Sequence, residues 1–175
     1  MISRLIPIDS RPSRAFALSF AACLSLSFSA SLAQADSHEQ PDVDPSIKYR
    51  QSVMEIIGTN MGAIGDIMKN QLGLPGAIEN HAGQMVESAA LIGPAFKKNL
   101  SEGPTDAKAD IWKDWAKFEK AIANYEKNAR GLQTAAQGGD PAAVGAAMKA
   151  LGKSCGGCHK PFRKPKEESF KNKKM

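Results

Sequence analysis

The chain has 175 residues, of which 42% are hydrophobic and 23% charged, and a formal net charge of +5. This length predicts a single domain. The positive charge lies near the C-terminus, because residues 36–159 contain 13 Lys and Arg against 15 Asp and Glu, whereas residues 160–175 contain 7 against 2. This basic tail has only Phe162 and Phe170 for stacking on bases, so the composition does not favour a nucleic-acid-binding protein.

Residues 1–35 have the features of a secretory signal peptide. Three arginines and one aspartate precede an uncharged, apolar and serine-rich run over residues 15–32. Ala33-Gln34-Ala35 then places small residues at the two positions that a signal peptidase reads. We therefore expect cleavage after Ala35, a mature domain of residues 36–175 and a periplasmic location. The alternatives are an uncleaved membrane anchor and a lipoprotein attached at Cys23. No other segment is apolar and long enough to span a bilayer, so stable membrane insertion is not expected.

Two amphipathic helices are predicted first in the mature chain. Asp44 and Pro45 indicate an N-cap followed by the first helical residue. Apolar residues then recur with helical spacing, and they are Ile47, Met54, Ile57, Met61, Ile64 and Met68. Gly73, Pro75 and Gly76 end this helix. The second helix is predicted to stop before Gly103-Pro104, and its apolar face is Ile78, Ala82, Met85, Ala89, Ile92 and Phe96.

Two further helices complete the predicted fold. The third is expected to open near Thr105, with an apolar face of Ile111, Trp115, Phe118, Ile122, Tyr125, Ala129 and Leu132. Gly138-Gly139-Asp140-Pro141 is a turn with a second Asp cap. The fourth helix ends before Lys164-Pro165, and its apolar face is Val144, Met148, Leu151, Cys155, Cys158 and Phe162. No stretch alternates with period two. Short Gly/Pro turns between four helices predict an all-α, antiparallel up-down-up-down four-helix bundle.

Cys155-Gly156-Gly157-Cys158-His159 has the C-x-x-C-H spacing of c-type haem attachment. The two thiols can add to the two vinyl groups of haem and form thioethers, and His159 can then bind the iron as the proximal axial ligand. The two glycines remove side chains where the porphyrin edge must approach the backbone. The motif predicts one covalently attached haem c with its iron. Export agrees with this prediction, because haem is attached to this motif outside the bacterial cytoplasm.

Three other interpretations of the two cysteines compete with this one. A zinc site would need a further cluster of ligands, and the remaining candidates are only His38, His81 and Cys23. A thioredoxin-like redox pair would need a preceding strand, whereas the preceding sequence is alanine-rich and helical in period. A structural disulfide would give the adjacent His159 no role. Haem attachment is therefore favoured.

With these features the chain resembles the class II c-type cytochromes, that is cytochrome c′ and its low-spin relatives. The resemblance covers residues 44–165. It rests on the late position of the motif, on Lys48-Tyr49-Arg50-Gln51-Ser52 in the first helix and on Arg163-Lys164 after the motif. Cytochrome c′ is itself a familiar four-helix bundle, so the resemblance implies the same architecture. It also implies that the first helix lies across the distal face of the haem.

The resemblance implies roles for three further residues. Met54 follows Arg50 by four residues and would face the iron, where its sulfur can complete a six-coordinate, low-spin site. Arg50 would contact a haem propionate through a charge-assisted bond. Arg163 would lie beside the proximal ligand His159. Relatives with a non-ligating residue at the distal position have five-coordinate, high-spin iron, and some high-spin members carry methionine there without using it.

Alternatives to Met54 remain open on the sequence. Its thioether can simply fill the core. Met61 lies two turns further along the same helix, which makes it a second candidate ligand. His81 is a third, although it lies beside the apolar face of its helix and is better explained as a surface histidine.

These features predict a protein that transfers single electrons between redox partner proteins. Nothing resembles a nucleophile–base pair or a paired carboxylate site, so it is not expected to be an enzyme. One alternative is binding of nitric oxide or carbon monoxide at five-coordinate haem. Another is a haem-free helical interaction module in which the C-x-x-C-H is accidental.

The basic tail and the first helix raise the question of partners. The tail, residues 160–175, is expected to be a solvated, frayed end, and its alternative is a docking patch that attracts an acidic redox partner. The resemblance also implies a homodimer through the first two helices. Gly58, Gly62 and Gly65 would allow close approach there, or they would thin the helix beneath the haem.

Overall fold

The computed structural model describes residues 43–172, so the predicted signal peptide lies outside the described residues. The helices are α1 (Pro45–Lys69), α2 (Ala77–Ala95), α3 (Asp110–Lys113), α4 (Trp115–Gln137) and α5 (Pro141–Phe162). Two short 3-10 turns follow, Lys166–Glu168 and Phe170–Asn172. The four long helices form the predicted antiparallel bundle, and α3 adds a single turn. The all-α, four-helix-bundle prediction is therefore confirmed.

The predicted caps begin two of the long helices. The Asp44 carboxylate accepts a hydrogen bond from the backbone N–H of Ser46 at 2.8 Å, and Asp140 accepts one from Ala142 at 2.9 Å. A proline follows each aspartate at the first helical position. Each cap satisfies an amide that has no partner inside the helix.

The third long helix begins later than predicted. Gly103 takes a positive φ of 80°, and the Thr105 hydroxyl accepts the Ala107 amide at 3.1 Å. This local hydrogen bond competes with a helical ladder, so helix starts only at α3. Asp114 then interrupts the helix, and its carboxylate accepts the Lys117 amide at 3.1 Å to begin α4. The prediction that helix opens near Thr105 is wrong for this reason.

The core is aliphatic along the bundle and aromatic at one end. α2 packs against both α1 and α4, and α4 packs against α5. The largest fully buried side chains are Ile64, Met85, Ile111, Leu132, Leu151 and Val53. Burial of each such side chain stabilises the fold by about 1.5–3 kcal/mol. Phe118 joins the helices near the C-terminal end of α5, with ring centroids 5.2 Å from both Phe96 and Phe162.

α1 and α5 are neighbours that remain apart. No Cα atom of α1 (Pro45–Lys69) lies within 8 Å of a Cα atom of α5 (Pro141–Phe162). Two methionine side chains of α1 bridge the distance, because a Cβ added to Gly145 would lie 3.8 Å from Met68 Cε and one added to Gly152 would lie 3.9 Å from Met61 Cε. Long methionine side chains of α1 therefore lie opposite glycines of α5.

The chain after α5 is fixed to the loop before α3. The backbone N–H of Lys164 donates to the Asp106 carbonyl at 2.7 Å, and that of Phe170 donates to the Asp106 carboxylate at 2.9 Å. Ser169 is only 6% exposed and donates its hydroxyl to the same carboxylate at 2.9 Å. We call residues 164–172 the C-terminal strap. The expectation of a frayed tail is wrong for these residues, because Asp106 supplies a set of acceptors that composition does not reveal.

The ion pair at the start of α1 generates a pH-dependent prediction. Lys98 and the Ser46 amide hold the pKa of Asp44 at about 2. An ordinary aspartate titrates near pH 3.9, so this carboxylate contributes stability above that pH and loses it as the pH falls through 2. The variant Asp44→Asn keeps a capping side chain and removes the charge. Chemical unfolding should show it less stable than wild type at pH 7, with the difference gone below pH 2.

Asp140→Asn is the matched control for this measurement. It exchanges the other capping aspartate, for which residues 43–172 contain no ion-pair partner. A difference of the same size and pH dependence in this variant would show that the Asp44–Lys98 pair is not the cause.

Candidate haem site

The C-x-x-C-H motif forms the last two turns of α5. Cys155 and Cys158 are half-buried free thiols that pack against the core. Burial raises the pKa of Cys155, and burial together with the neighbouring Cys155 raises that of Cys158 to about 11. Before haem is attached, both thiols are therefore protonated at neutral pH, and in the described part of the chain the two sulfurs are not joined to each other.

The backbone beside the thiols is open. A Cβ added to Gly156 or to Gly157 would meet no atom within 4 Å. These two positions therefore leave room for a flat group to approach the helix, as expected of a porphyrin edge. His159 follows on an exposed part of the last turn. Partial burial of its ring and the Arg163 guanidinium lower the pKa of His159, which favours the neutral imidazole that binds metals.

Arg50 supplies a buried cation at the same end of the bundle. The residue is 2% exposed, and its Cζ atom lies 5.4 Å from the centre of the Phe96 ring and 5.7 Å from that of Trp112. Its Nη2 donates to the Leu100 carbonyl and, at 3.2 Å, to the Thr105 hydroxyl. Burial lowers the pKa of Arg50, and Asp44 partly opposes this effect.

Two donors of Arg50 are left over. Its Nε and Nη1 atoms are buried and have no hydrogen-bond partner among the described residues. Buried donors of a charged group are costly unless an acceptor satisfies them. A carboxylate would satisfy both the charge and the donors, which fits the propionate contact that the resemblance implies. The residues at this end of the bundle therefore fit a covalently attached haem.

Arg163 lies at the C-terminal boundary of α5. Its backbone N–H donates to the His159 carbonyl at 3.0 Å, and its Nη2 lies 3.3 Å from the Asp106 carboxylate. The guanidinium is half exposed and close enough to His159 to act on its charge. This position agrees with the implied place beside the proximal ligand, although its role there stays a prediction.

The structure places the candidate distal residues in two different surroundings. Met54, Met61 and Met68 are half-buried and follow one another at intervals of seven on α1. His81 instead lies between α1 and α2, where its Nδ1 is 2.8 Å from the Asn60 amide oxygen. His81 is therefore half-buried against α1 rather than a surface histidine, and its contact with Asn60 supports a place outside the iron site.

Several residues of the site were missed by sequence reasoning. Thr105 was predicted to begin a helix, whereas its hydroxyl contacts Arg50. Asp106 was counted only as a charge and in fact pairs with Arg163. Tyr125 was assigned to the core, and its buried hydroxyl donates to the Met85 carbonyl at 3.1 Å. Burial and the nearby Cys155 raise the pKa of Tyr125.

Two of the alternatives can be compared with the described residues directly. Within residues 43–172, no group of three or more His, Cys, Asp and Glu side chains could hold a metal ion. The zinc interpretation therefore gains no support there. None of the helices in these residues is long and apolar enough to cross a membrane.

Together, the fold and the motif define a four-helix-bundle protein with a c-type haem attachment site on its last long helix. A family model described as Cytochrome C' matches residues 45–163. The chain belongs to this cytochrome c′ family, and the resemblance found in the sequence is confirmed. Members of the family carry covalently attached haem c with iron, and Cys155, Cys158 and His159 provide the matching motif.

Individual relatives agree with this assignment. Cytochrome c′ from Rhodospirillum rubrum is 37% identical over 123 residues, which are 69% of this chain and 84% of that protein. Cytochrome c-554 from Cereibacter sphaeroides is 28% identical over 145 residues, 80% of this chain and 94% of that protein. A nitric oxide complex of a cytochrome c prime variant from Alcaligenes xylosoxidans has a TM-score of 0.61 and 31% identity, and covers 69% of this chain and 94% of that chain.

Attachment of haem generates a second prediction. The exported protein should retain one haem per chain on a denaturing gel, by peroxidase staining and pyridine haemochrome absorbance, because two thioethers survive denaturation. Replacing both thiols, Cys155→Ser with Cys158→Ser, should abolish the retained haem. Met61→Leu, a change on the opposite helix, should leave it in place. Loss of haem from the wild-type chain in the denaturant would contradict covalent attachment.

Proposed function

We propose that this protein is a periplasmic monohaem cytochrome that transfers single electrons between redox partner proteins, with His159 and Met54 as the axial ligands of the iron. When bound, haem iron supplies one-electron redox chemistry. The chain contributes the two attaching sulfurs, an imidazole on one side and a thioether on the other. No substrate chemistry is assigned, so the protein is proposed not to be an enzyme.

The observation that carries this proposal is the register between α1 and α5. Met68 is opposite Gly145, and Met61 is opposite Gly152. The two helices are antiparallel, so seven residues back on α1 correspond to seven residues forward on α5. One further heptad pairs position 54 with position 159, because heptad spacing keeps the same face toward the partner helix. This register supports Met54 as the residue opposite the proximal histidine.

The same register disfavours Met61. One heptad of helix is about 10 Å long, so a residue opposite Gly152 is displaced by that distance from the level of His159. Arg50 lies one turn before Met54 and on nearly the same face. Its unsatisfied Nε and Nη1 donors would then bind a haem propionate while the Met54 side chain faces the iron. A histidine–methionine pair favours ferrous iron and raises the potential relative to two nitrogen ligands.

Binding of nitric oxide or carbon monoxide is the second candidate function. It is favoured by the similarity to a structure that is itself a nitric oxide complex. One relative of this chain is a cytochrome c′ and another is a cytochrome c-554. Similarity to these two proteins does not select between gas binding and electron transfer. The choice depends on whether the Met54 sulfur binds the iron.

Optical spectra of the purified holoprotein test the proposal. We expect sharp, split α and β bands after reduction with dithionite and a weak ferric band toward the red. Met54→Leu should produce a high-spin spectrum and a lower reduction potential, because leucine cannot ligate. Met61→Leu is the matched control and should leave the spectrum low-spin.

Three results would contradict parts of the proposal. A wild-type reduced spectrum that is broad and shifts promptly on addition of carbon monoxide would identify an open iron and favour gas binding. A low-spin spectrum that survives Met54→Leu would remove Met54 as the ligand. If Met61→Leu alone converted the spectrum, the register between α1 and α5 would not identify the ligand.

A homodimer through α1 and α2 forms part of the proposal. Tyr49 and Ile56 on α1 are 49% and 47% exposed, and Leu91 on α2 is 40% exposed. The contact between Asn60 and His81 sets the register of these helices, and it brings Leu91 nearly level with Tyr49. These side chains therefore form an apolar strip along the outer groove between α1 and α2.

Gly58 and Gly65 instead follow Met54 and Met61 by four residues and share their face, which supports a thinned helix beneath the haem.

The dimer can be tested by placing a charge in this strip. Ile56→Glu should weaken dimerisation by tenfold or more, because a tenfold change needs only about 1.4 kcal/mol and burial of an unpaired carboxylate costs more. Sedimentation of the holoprotein would measure the change. Leu74→Glu alters a leucine outside the helices that is 54% exposed and should have no effect. Equal sedimentation of wild type and Ile56→Glu as monomers would reject the dimer.

A further inference from the structure

The loop before α3 touches both arginines of the haem site. Thr105 contacts Arg50 through its hydroxyl, and the next residue, Asp106, pairs with Arg163. The loop is fixed to α1 a second time, because the Gln51 side chain donates to the Pro104 carbonyl at 2.8 Å. One short segment therefore connects the proposed distal side of the haem with the proximal side.

Asp106 is an unusually well satisfied carboxylate. One oxygen accepts the Phe170 amide at 2.9 Å, and the other accepts the Ser169 hydroxyl at 2.9 Å and Arg163 Nη2 at 3.3 Å. Its side chain is 11% exposed. Burial alone would raise its pKa, but these hydrogen bonds hold the pKa of Asp106 below the usual value. The carboxylate is thus a fixed negative charge in a partly dry position.

Two of the three donors that fix this charge come from outside the segment that the family model matches. The family match ends at residue 163, whereas Ser169 and Phe170 belong to the C-terminal strap. Lys164 reinforces the strap, since its Nζ donates to the Thr105 carbonyl at 3.1 Å and to the Ser101 carbonyl at 3.4 Å. The strap and the loop therefore hold each other in place around Asp106.

We propose that Asp106, held by the C-terminal strap, is a positioning residue that fixes the Arg163 guanidinium beside His159 and thereby sets the reduction potential of the haem. Arg163 has a half-exposed side chain, which would sample many positions without a fixed partner. A guanidinium released from its carboxylate spends less time beside His159, so less positive charge lies near the iron. Positive charge stabilises the ferrous state over the ferric state, so the potential falls when the pair is broken.

This inference rests on the proposed haem at His159, but it does not depend on Met54 as the sixth ligand. The decisive variant is Ser169→Ala, which loosens Asp106 without changing any charge. It should lower the potential of the holoprotein, and Asp106→Glu, which keeps the charge and displaces it, should also lower the potential. Ser52→Ala is the matched control, because Ser52 bonds only the Lys48 carbonyl within its own helix.

A double-mutant cycle tests whether the strap acts through Arg163. In an Arg163→Gln background, the shifts caused by Ser169→Ala and Asp106→Glu should disappear, since the residue through which they act is gone. Shifts that persist at full size in that background would overturn the proposal, because the strap would then act without Arg163. Unchanged potentials in both single variants would overturn it equally.

Hydrogen exchange supplies a second readout that does not use the redox chemistry. The Phe170 amide should exchange slowly in wild type and faster in Asp106→Ala, because that amide donates to the Asp106 carboxylate. Equal exchange in the two proteins would remove the structural basis of the inference. Covalent haem retention and the Met54→Leu spectrum report on the proposed function separately, so failure of one can be told from failure of the other.

Discussion

The separation between α1 and α5 is the constraint on which the site depends. Every other neighbouring pair of long helices packs directly, whereas no Cα atoms of α1 and α5 lie within 8 Å of each other and two methionine side chains of α1 reach toward glycines of α5. A methionine is long and unbranched, so it can span a wide gap and adapt to its shape. The sequence thereby keeps room between the helix that carries His159 and the helix that carries Met54. Gly156 and Gly157 leave similar open space beside the backbone of the turn that holds the thiols.

Much of the fold could be predicted because it depends on local chemistry. The apolar periods of α1, α2, α4 and α5 and the caps at Asp44 and Asp140 follow from residues close together in the chain, and they are observed. The start of the third long helix was missed because Thr105 and Asp114 use their side chains to bond nearby amides. Whether such a side chain caps, bends or simply occupies a helix is decided by packing, which spacing alone does not report.

Less of the haem site than of the fold could be predicted from the sequence. The motif at Cys155–His159 is read from spacing, and the roles of Arg50, Met54 and Arg163 came from the resemblance. The contacts around Asp106, the partner of Arg163, were not predictable. Asp106 is 63 residues from Ser169 and 64 from Phe170 in sequence. Contacts over such separations depend on the assembled bundle. They change the interpretation of the tail from a free basic end to a segment whose residues Ser169 and Phe170 bond to Asp106.

The glycines of α1 also affect how stable that helix is by itself. Gly58, Gly62 and Gly65 occupy its central turns, and each lowers helix stability by about 1 kcal/mol relative to alanine. Helix α1 therefore depends on its neighbours to remain folded, and it is a candidate for local opening well below the global unfolding free energy. Since this helix presents the proposed sixth ligand, access of an external molecule to the iron would be governed by a local folding equilibrium of α1 as well as by the strength of the bond to sulfur.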